Sequence, residues 1–298
     1  MSVLELLATS PALLIGTCLV LGLCVGSFLN VVIYRLPVML ERQWRAECAE
    51  YTAGGAADAE EPLPPFNLIV PRSTCPACGA RLRARDNIPL LSWVLLRARC
   101  AHCEAPISAR YPVVELLTGL LSAAVAWRFG YDWSTPAALL LTWALLALAW
   151  IDIDHQLLPD DLTLPLLWLG LALSLALGQP RGVPPDLHAS VLGAIFGYLS
   201  LWSVYHLFRL ATGKEGMGYG DFKLLAALGA WLGWQLLLPL LLIAAVLGAL
   251  TGVTLIALRR HERTRPIAFG PFLALAGWLM LMWGPALVAR YLALFPHA

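Results

Sequence analysis

Two groups of residues in this 298-residue chain have the types and spacing to do chemistry. The first is Cys75-Pro-Ala-Cys78 followed by Cys100-Ala-His-Cys103. Two CxxC turns let four thiolates reach one tetrahedral Zn²⁺. Two disulfides or an iron–sulfur cluster would use the same four residues, and His102 could compete as a ligand. Four Cys complete a zinc site and leave no open position, so the spacing predicts a structural metal and not a catalytic one. Cys18 and Cys24 lie in an apolar run and Cys48 is isolated, so none of the three shares the pattern.

The second group is acidic. One apolar run ends Trp150-Ile-Asp152-Ile-Asp154-His155-Gln-Leu-Leu-Pro159-Asp160-Asp161, and another begins Gly216-Met-Gly218-Tyr219-Gly220-Asp221-Phe222-Lys223. Two carboxylates that share one proton can activate a water without any cofactor. Asp221 is one such candidate, and residue chemistry alone leaves Asp152 and Asp154 both open as its partner. Gly216, Gly218 and Gly220 allow positive φ and close approach of an extended peptide. A nucleotide-binding loop would want a preceding strand, and none is legible here. Asp160 and Asp161 suit the N-cap of the following helix. Glu115 stands just inside an apolar run, where it calls for either an ion pair with a nearby Arg or a functional role. His155 reads as a loop residue, and His188 and His206 as packing or interfacial residues.

These residues must be positioned by membrane-spanning elements. Hydrophobic residues make up 59% of the chain and charged residues 13%, against roughly 25% charged in soluble domains. Mean hydropathy is +0.73. That excludes a soluble α/β enzyme, a disordered chain and a nucleic-acid binder. Pro11 to Ile33 carries no charge and can span, since a bilayer core takes roughly 20 apolar residues per helix. No basic residue precedes this run and no A-x-A site follows it, which disfavours a signal peptide. Further apolar runs cover about 112–129, 134–151, 162–178, 187–208, 222–238, 239–258 and 267–289. Leu224 to Leu258 has no charge and would be about 52 Å as one helix, so a hairpin break is expected at Gln235–Pro239.

The expected fold is an all-α polytopic membrane protein of about eight transmembrane helices with a zinc-binding cytoplasmic insert. The expected domains are residues 1–33, the first span; 34–112, the tetracysteine insert; and 113–298, a seven-helix core. Eight spans put seventeen of the twenty basic residues, in 34–112, 209–223 and 259–265, on one side. Arg128, Arg181 and Arg290 fall on the other. The positive-inside rule makes the rich side cytoplasmic, and Asp152–Asp161 and Gly216–Lys223 then share that face. Residues 46–66 read as a flexible, low-complexity connection.

At these residues the sequence resembles the type IV prepilin peptidases, over nearly the whole chain. The marks are Gly26-Ser-Phe-Leu-Asn30 through Arg35-Leu-Pro37, the tetracysteine insert, Asn87-Ile-Pro-Leu, Arg110-Tyr-Pro-Val-Val-Glu115, Ile151-Asp152 through Leu-Pro159-Asp160, Gly218-Tyr-Gly-Asp221-Phe-Lys223 and Phe269-Gly-Pro271-Phe. Their order and spacing together are specific. The GxGD signature is shared with presenilin-like intramembrane aspartyl proteases. The resemblance implies Asp152 and Asp221 as the catalytic pair, because the family pattern of Asp, six residues, Pro selects Asp152 with Pro159. It implies cleavage of the short basic leader of prepilins and pseudopilins after a Gly. Methylation of the new N-terminus from S-adenosylmethionine would follow, beside the pilus or type II secretion machinery of an inner membrane. Gly218, Tyr219, Gly220, Lys223, Asp154 and Asp160 are then expected near the substrate, with the acids attracting the basic leader. Methyl-transfer candidates are Ala98, Arg99 and Glu115. Ala98 departs from the pattern, since relatives often carry Gly there; the small residue suggests tight backbone packing. A transporter would place its charges near mid-membrane, and here they cluster at one face. A methyltransferase or binding module with structural carboxylates is the other rival, and a cleavage assay separates them.

Overall fold

Helix is the natural state of such apolar runs, because it satisfies every backbone polar group within one segment. The computed structural model describes residues 2–53, 64–179, 183–258 and 267–294. Arg181, the basic segment 259–265 and nearly all of the AGGAADAEEP connection lie outside the described residues. The described residues form α-helices and two short 3-10 turns, with isolated bridges and no strand. Among the described residues, seven helices are long and apolar enough to cross a membrane. The chain divides into two compact units, Met1–Ala124 and Val125–Ala298.

The first unit holds α1 (Val3–Thr9), α2 (Pro11–Ala53), α3 (Leu91–Leu95) and most of α4 (Arg110–Phe129). α2 continues well past Ile33. Its polar end is rich in good helix formers and carries i,i+4 pairs, Glu41 with Arg45 at 2.6 Å and Gln43 with Glu47 at 2.8 Å, of the kind that support an exposed helix. The first part of the expected connection, up to Ala53, is therefore helical. α2 approaches α4 through glycine: a Cβ on Gly26 would stand 2.7 Å from the Glu115 Cα. Buried Arg35 donates to the carbonyls of Asn67 and Pro71 at 2.9 and 2.6 Å and so fastens the chain after the connection onto α2.

The second unit contains α5 (Ser134–His155), α6 (Asp160–Leu177), α7 (Leu187–Thr212), α8 (Tyr219–Leu232), α9 (Leu237–Ala257) and α10 (Gly270–Ala293). The expected run 222–238 is where sequence and structure differ most. α8 has only 14 residues, about 21 Å at 1.5 Å per residue. It is enclosed by α6, α7, α9 and α10, and Phe222 and Leu224 through Leu232 are all buried. A helix walled by protein need not match the bilayer thickness. The chain turns at Gly233, with φ +82°, and at the 3-10 turn Trp234–Leu236, slightly earlier than Gln235–Pro239. Pro239 sits in the first turn of α9, where its missing N–H costs nothing.

α8 is held by close backbone contact. A Cβ on Gly193 would collide with the Gly229 backbone, and one on Gly197 would lie 2.6 Å from the Leu225 carbonyl. Ser190 donates to the Ala230 carbonyl at 2.6 Å and Trp231 to the Leu166 carbonyl at 2.8 Å.

Candidate active site and metal centre

Both CxxC segments form the same turn. In the first, the Gly79 N–H donates to the Cys75 carbonyl and the Cys75 N–H to Ala80; in the second, Glu104 donates to Cys100 and Cys100 to Ala105, all at 2.9–3.1 Å. The residue after each second cysteine is left-handed, Gly79 at φ +70° and Glu104 at φ +58°. These turns aim the four sulfurs at one point. The ligand atoms of Cys75, Cys78, Cys100 and Cys103 all lie within 4.8 Å of one another. Backbone N–H groups of Cys78 and Ala77 bring the Cys75 thiol down to about 7, whereas its neighbouring thiols push Cys103 up to about 12. The donor set fits a single thiophilic ion. His102 is not part of the cluster. Cys18, Cys24 and Cys48 are free.

Ala98 carries φ +59° and Arg97 φ +51°. The Ala98 N–H donates to Trp93 and its carbonyl accepts from Ile107, at 2.8 and 2.7 Å. The feature that favours glycine at 98 is thus a left-handed backbone, costly for any residue with a Cβ. Arg99 faces Glu104 across 3.9 Å on the exposed surface. Glu115 is buried and is held by a backbone N–H and a hydroxyl. It accepts from the Leu90 N–H at 2.8 Å and from the Ser27 side chain. One carboxylate thereby joins α2, α4 and the insert.

In the second unit, Asp152 closes the last turn of α5 and Asp221 opens the first turn of α8. Both are buried, at 5% and 8% exposure. They are close enough for the charge of Asp152 to act on the Asp221 carboxyl. Asp221 is the third residue of α8 and is hydrogen-bonded by the Gly218 backbone, the N-cap. An acid there is favoured by the helix N-terminus. Asp152 accepts the Gly270 N–H at 2.9 Å. Gly270 begins α10, and a Cβ on it would lie 2.6 Å from the Asp152 Oδ2 and 3.1 Å from the Leu158 Cδ2. The Phe269-Gly270-Pro271 motif was legible as a family mark, but nothing in its chemistry announced contact with an aspartate 118 residues away. Asp154, in the same turn as Asp152, is exposed.

The glycines before Asp221 work differently from expectation. None of Gly216, Gly218 and Gly220 has positive φ. Gly220 is needed for close approach, since a Cβ there would stand 2.7 Å from the Leu158 Cβ. A Cβ on Gly216 would stand 2.9 Å from the Phe208 ring, and one on Gly218 would meet open space. Tyr219 is half exposed and stacks with Tyr205 and Phe222. Asp160 and Asp161 are not N-caps. Pro159 holds that position, and both acids lie in the first turn of α6. Lys223 binds both Asp160 oxygens at 2.7 Å, so Asp160 is a paired charge. His206 packs against Trp202 and Tyr205.

Two buried carboxylates thus stand at the ends of α5 and α8 in a helical membrane protein. Comparison with known proteins fits that arrangement. Residues 20–129 match the Bacterial Peptidase A24 N-terminal domain and residues 139–253 match the Type IV leader peptidase family. The chain is 53% identical over 292 residues to a prepilin leader peptidase/N-methyltransferase of Stutzerimonas stutzeri, 52% to one of Pseudomonas aeruginosa and 56% to one of Aeromonas hydrophila. Each alignment covers 98% of both chains. No solved structure matches. The chain belongs to the prepilin leader peptidase/N-methyltransferase family and is a multi-pass membrane protein.

Proposed function

We propose that this protein is a membrane aspartyl endopeptidase that removes the short basic leader of type IV prepilins and type II secretion pseudopilins, after a Gly, and then N-methylates the new N-terminal residue. The observation that carries the peptidase reading is the pair of buried carboxylates Asp152 and Asp221, held by the Gly270 and Gly218 backbones on either side of Leu158. A water between them attacks the scissile carbonyl. One carboxylate takes its proton while the other, as the acid, donates to the carbonyl oxygen. The first carboxylate then gives that proton to the leaving amine as the C–N bond breaks, and a hydroxyl of the tetrahedral intermediate returns a proton to the second, so the dyad regains its starting state. Burial excludes bulk water and strengthens each of these interactions.

The four cysteines would hold a structural Zn²⁺ that contributes folding energy to the insert. S-adenosylmethionine would supply the methyl group. Ala98, Arg99 and Glu115 shape the insert through the contacts described above, and the names of the relatives, not these residues, support methyl transfer. The distribution of basic residues along the sequence supports a reading in which the cysteine insert and the dyad face the cytoplasm at a bacterial inner membrane, where the pilus or type II secretion assembly machinery would be the partner. Incubation of the purified full-length protein with a prepilin in detergent tests the reading: the leader is lost with the parent and retained with Asp221→Asn.

A further inference from the structure

The ends of α5, α6 and α8 are tied together by an ion pair whose two partners stand in separate motifs. Lys223 Nζ lies 2.7 Å from both carboxylate oxygens of Asp160. Lys223 stands two residues after Asp221 in α8. Asp160 begins α6, directly after the short segment that follows Asp152 out of α5. Within that segment Leu158 is buried, and it presses on Gly220, next to Asp221, and on Gly270, whose N–H reaches Asp152. The ion pair closes the outer side of this assembly. Its side chains are 29% and 52% exposed. An ion pair as open as that adds little to stability, so stability is a poor reason for its bidentate geometry.

We infer that Lys223 and Asp160 are a positioning pair for the reaction. Their bond fixes the start of α6 against the start of α8, and so holds the Asp152 and Asp221 carboxylates at their working separation. The inference rests on the reading of those two aspartates as the hydrolytic dyad. Displacement of a reacting group by about 1 Å can cost on the order of a hundredfold in rate.

The experiment compares Asp160→Asn, Lys223→Gln and the charge exchange Asp160→Lys with Lys223→Asp. All are full-length proteins in matched membranes, with a prepilin as substrate. Each single variant should lose about tenfold or more in kcat, with KM and melting temperature close to the parent. The exchange should recover most of that loss. Unchanged kcat in both single variants overturns the inference. So does a rise in KM at constant kcat without recovery in the exchange, which would make these side chains contacts to the leader. A fall in melting temperature that accounts for all lost activity reduces the pair to a structural role and also overturns it. Asp221→Asn in the same assay keeps the two readings apart. Full cleavage there sinks the dyad, whereas an inactive Asp221→Asn beside fully active single charge variants sinks only the positioning role.

Discussion

The four-cysteine insert and the helical core solve the same problem, holding a few polar atoms in place, by opposite means. In the insert the ordering is local. Each CxxC turn closes through hydrogen bonds between neighbours, and residues close in sequence adopt the left-handed conformations that the turns need. α3 contributes no buried residue, so little apolar burial supports this region and a metal would compensate. In the core the ordering is long-range. Gly193, Gly197 and Gly229 bring α7 against α8 at backbone distance, and Gly220, Gly270 and Leu158 interlock around the two aspartates. The lesson is that a small region can be specified by spacing, while a buried carboxylate is specified by whatever packs around it.

The largest expected effect tests the core. Asp152→Asn and Asp221→Asn should each lose about three or more orders of magnitude in prepilin cleavage while still inserting and folding, since Asn keeps the shape and loses the proton transfer. The double variant should be little worse than either. Leader removal followed on a gel reads this out, and full cleavage by Asp221→Asn would remove the core's claim to the chemistry.

Metal removal tests the insert. Elemental analysis of the purified protein should find about one zinc per chain. Cys75→Ser and Cys100→Ser should lose it and unfold the insert before the helical core, because structural zinc supplies folding energy directly. Simultaneous melting of both regions would erase the contrast drawn above.

Packing gives the next effect. Gly229→Ala places a methyl against the Gly193 backbone, where no flexible side chain can yield. It should cost on the order of 1–3 kcal/mol and lower activity by displacing α8. Thermal denaturation in detergent measures it, and a parental melting temperature would mean that the α7–α8 contact is looser than described.

The smallest effect runs the other way. Ala98→Gly relieves a left-handed backbone and should stabilise the insert by about 1 kcal/mol, visible as slower amide hydrogen exchange around Trp93 and Ile107. Faster exchange in that variant would argue for packing of the Ala98 methyl after all.

The sequence alone determined the parts that depend on counting. Thiolate number and spacing fixed a four-cysteine cluster, because a CxxC turn is closed by its own backbone. Charge-free runs of sufficient length fixed the membrane helices, because lipid leaves the backbone few alternatives. The acids Asp152 and Asp221 stood out because a carboxylate at the edge of an apolar run is costly unless it is used. Tertiary structure decided what these residues meet. α8 could be short because four helices enclose it, α2 could run on because its polar end supports itself, and Asp160 became the partner of Lys223 instead of a cap. The Gly270 N–H reached Asp152 across 118 positions. Such pairings depend on which helix faces lie together and how closely their backbones approach. Local periodicity carries no information about either, so they emerge only when the whole set of helices is packed.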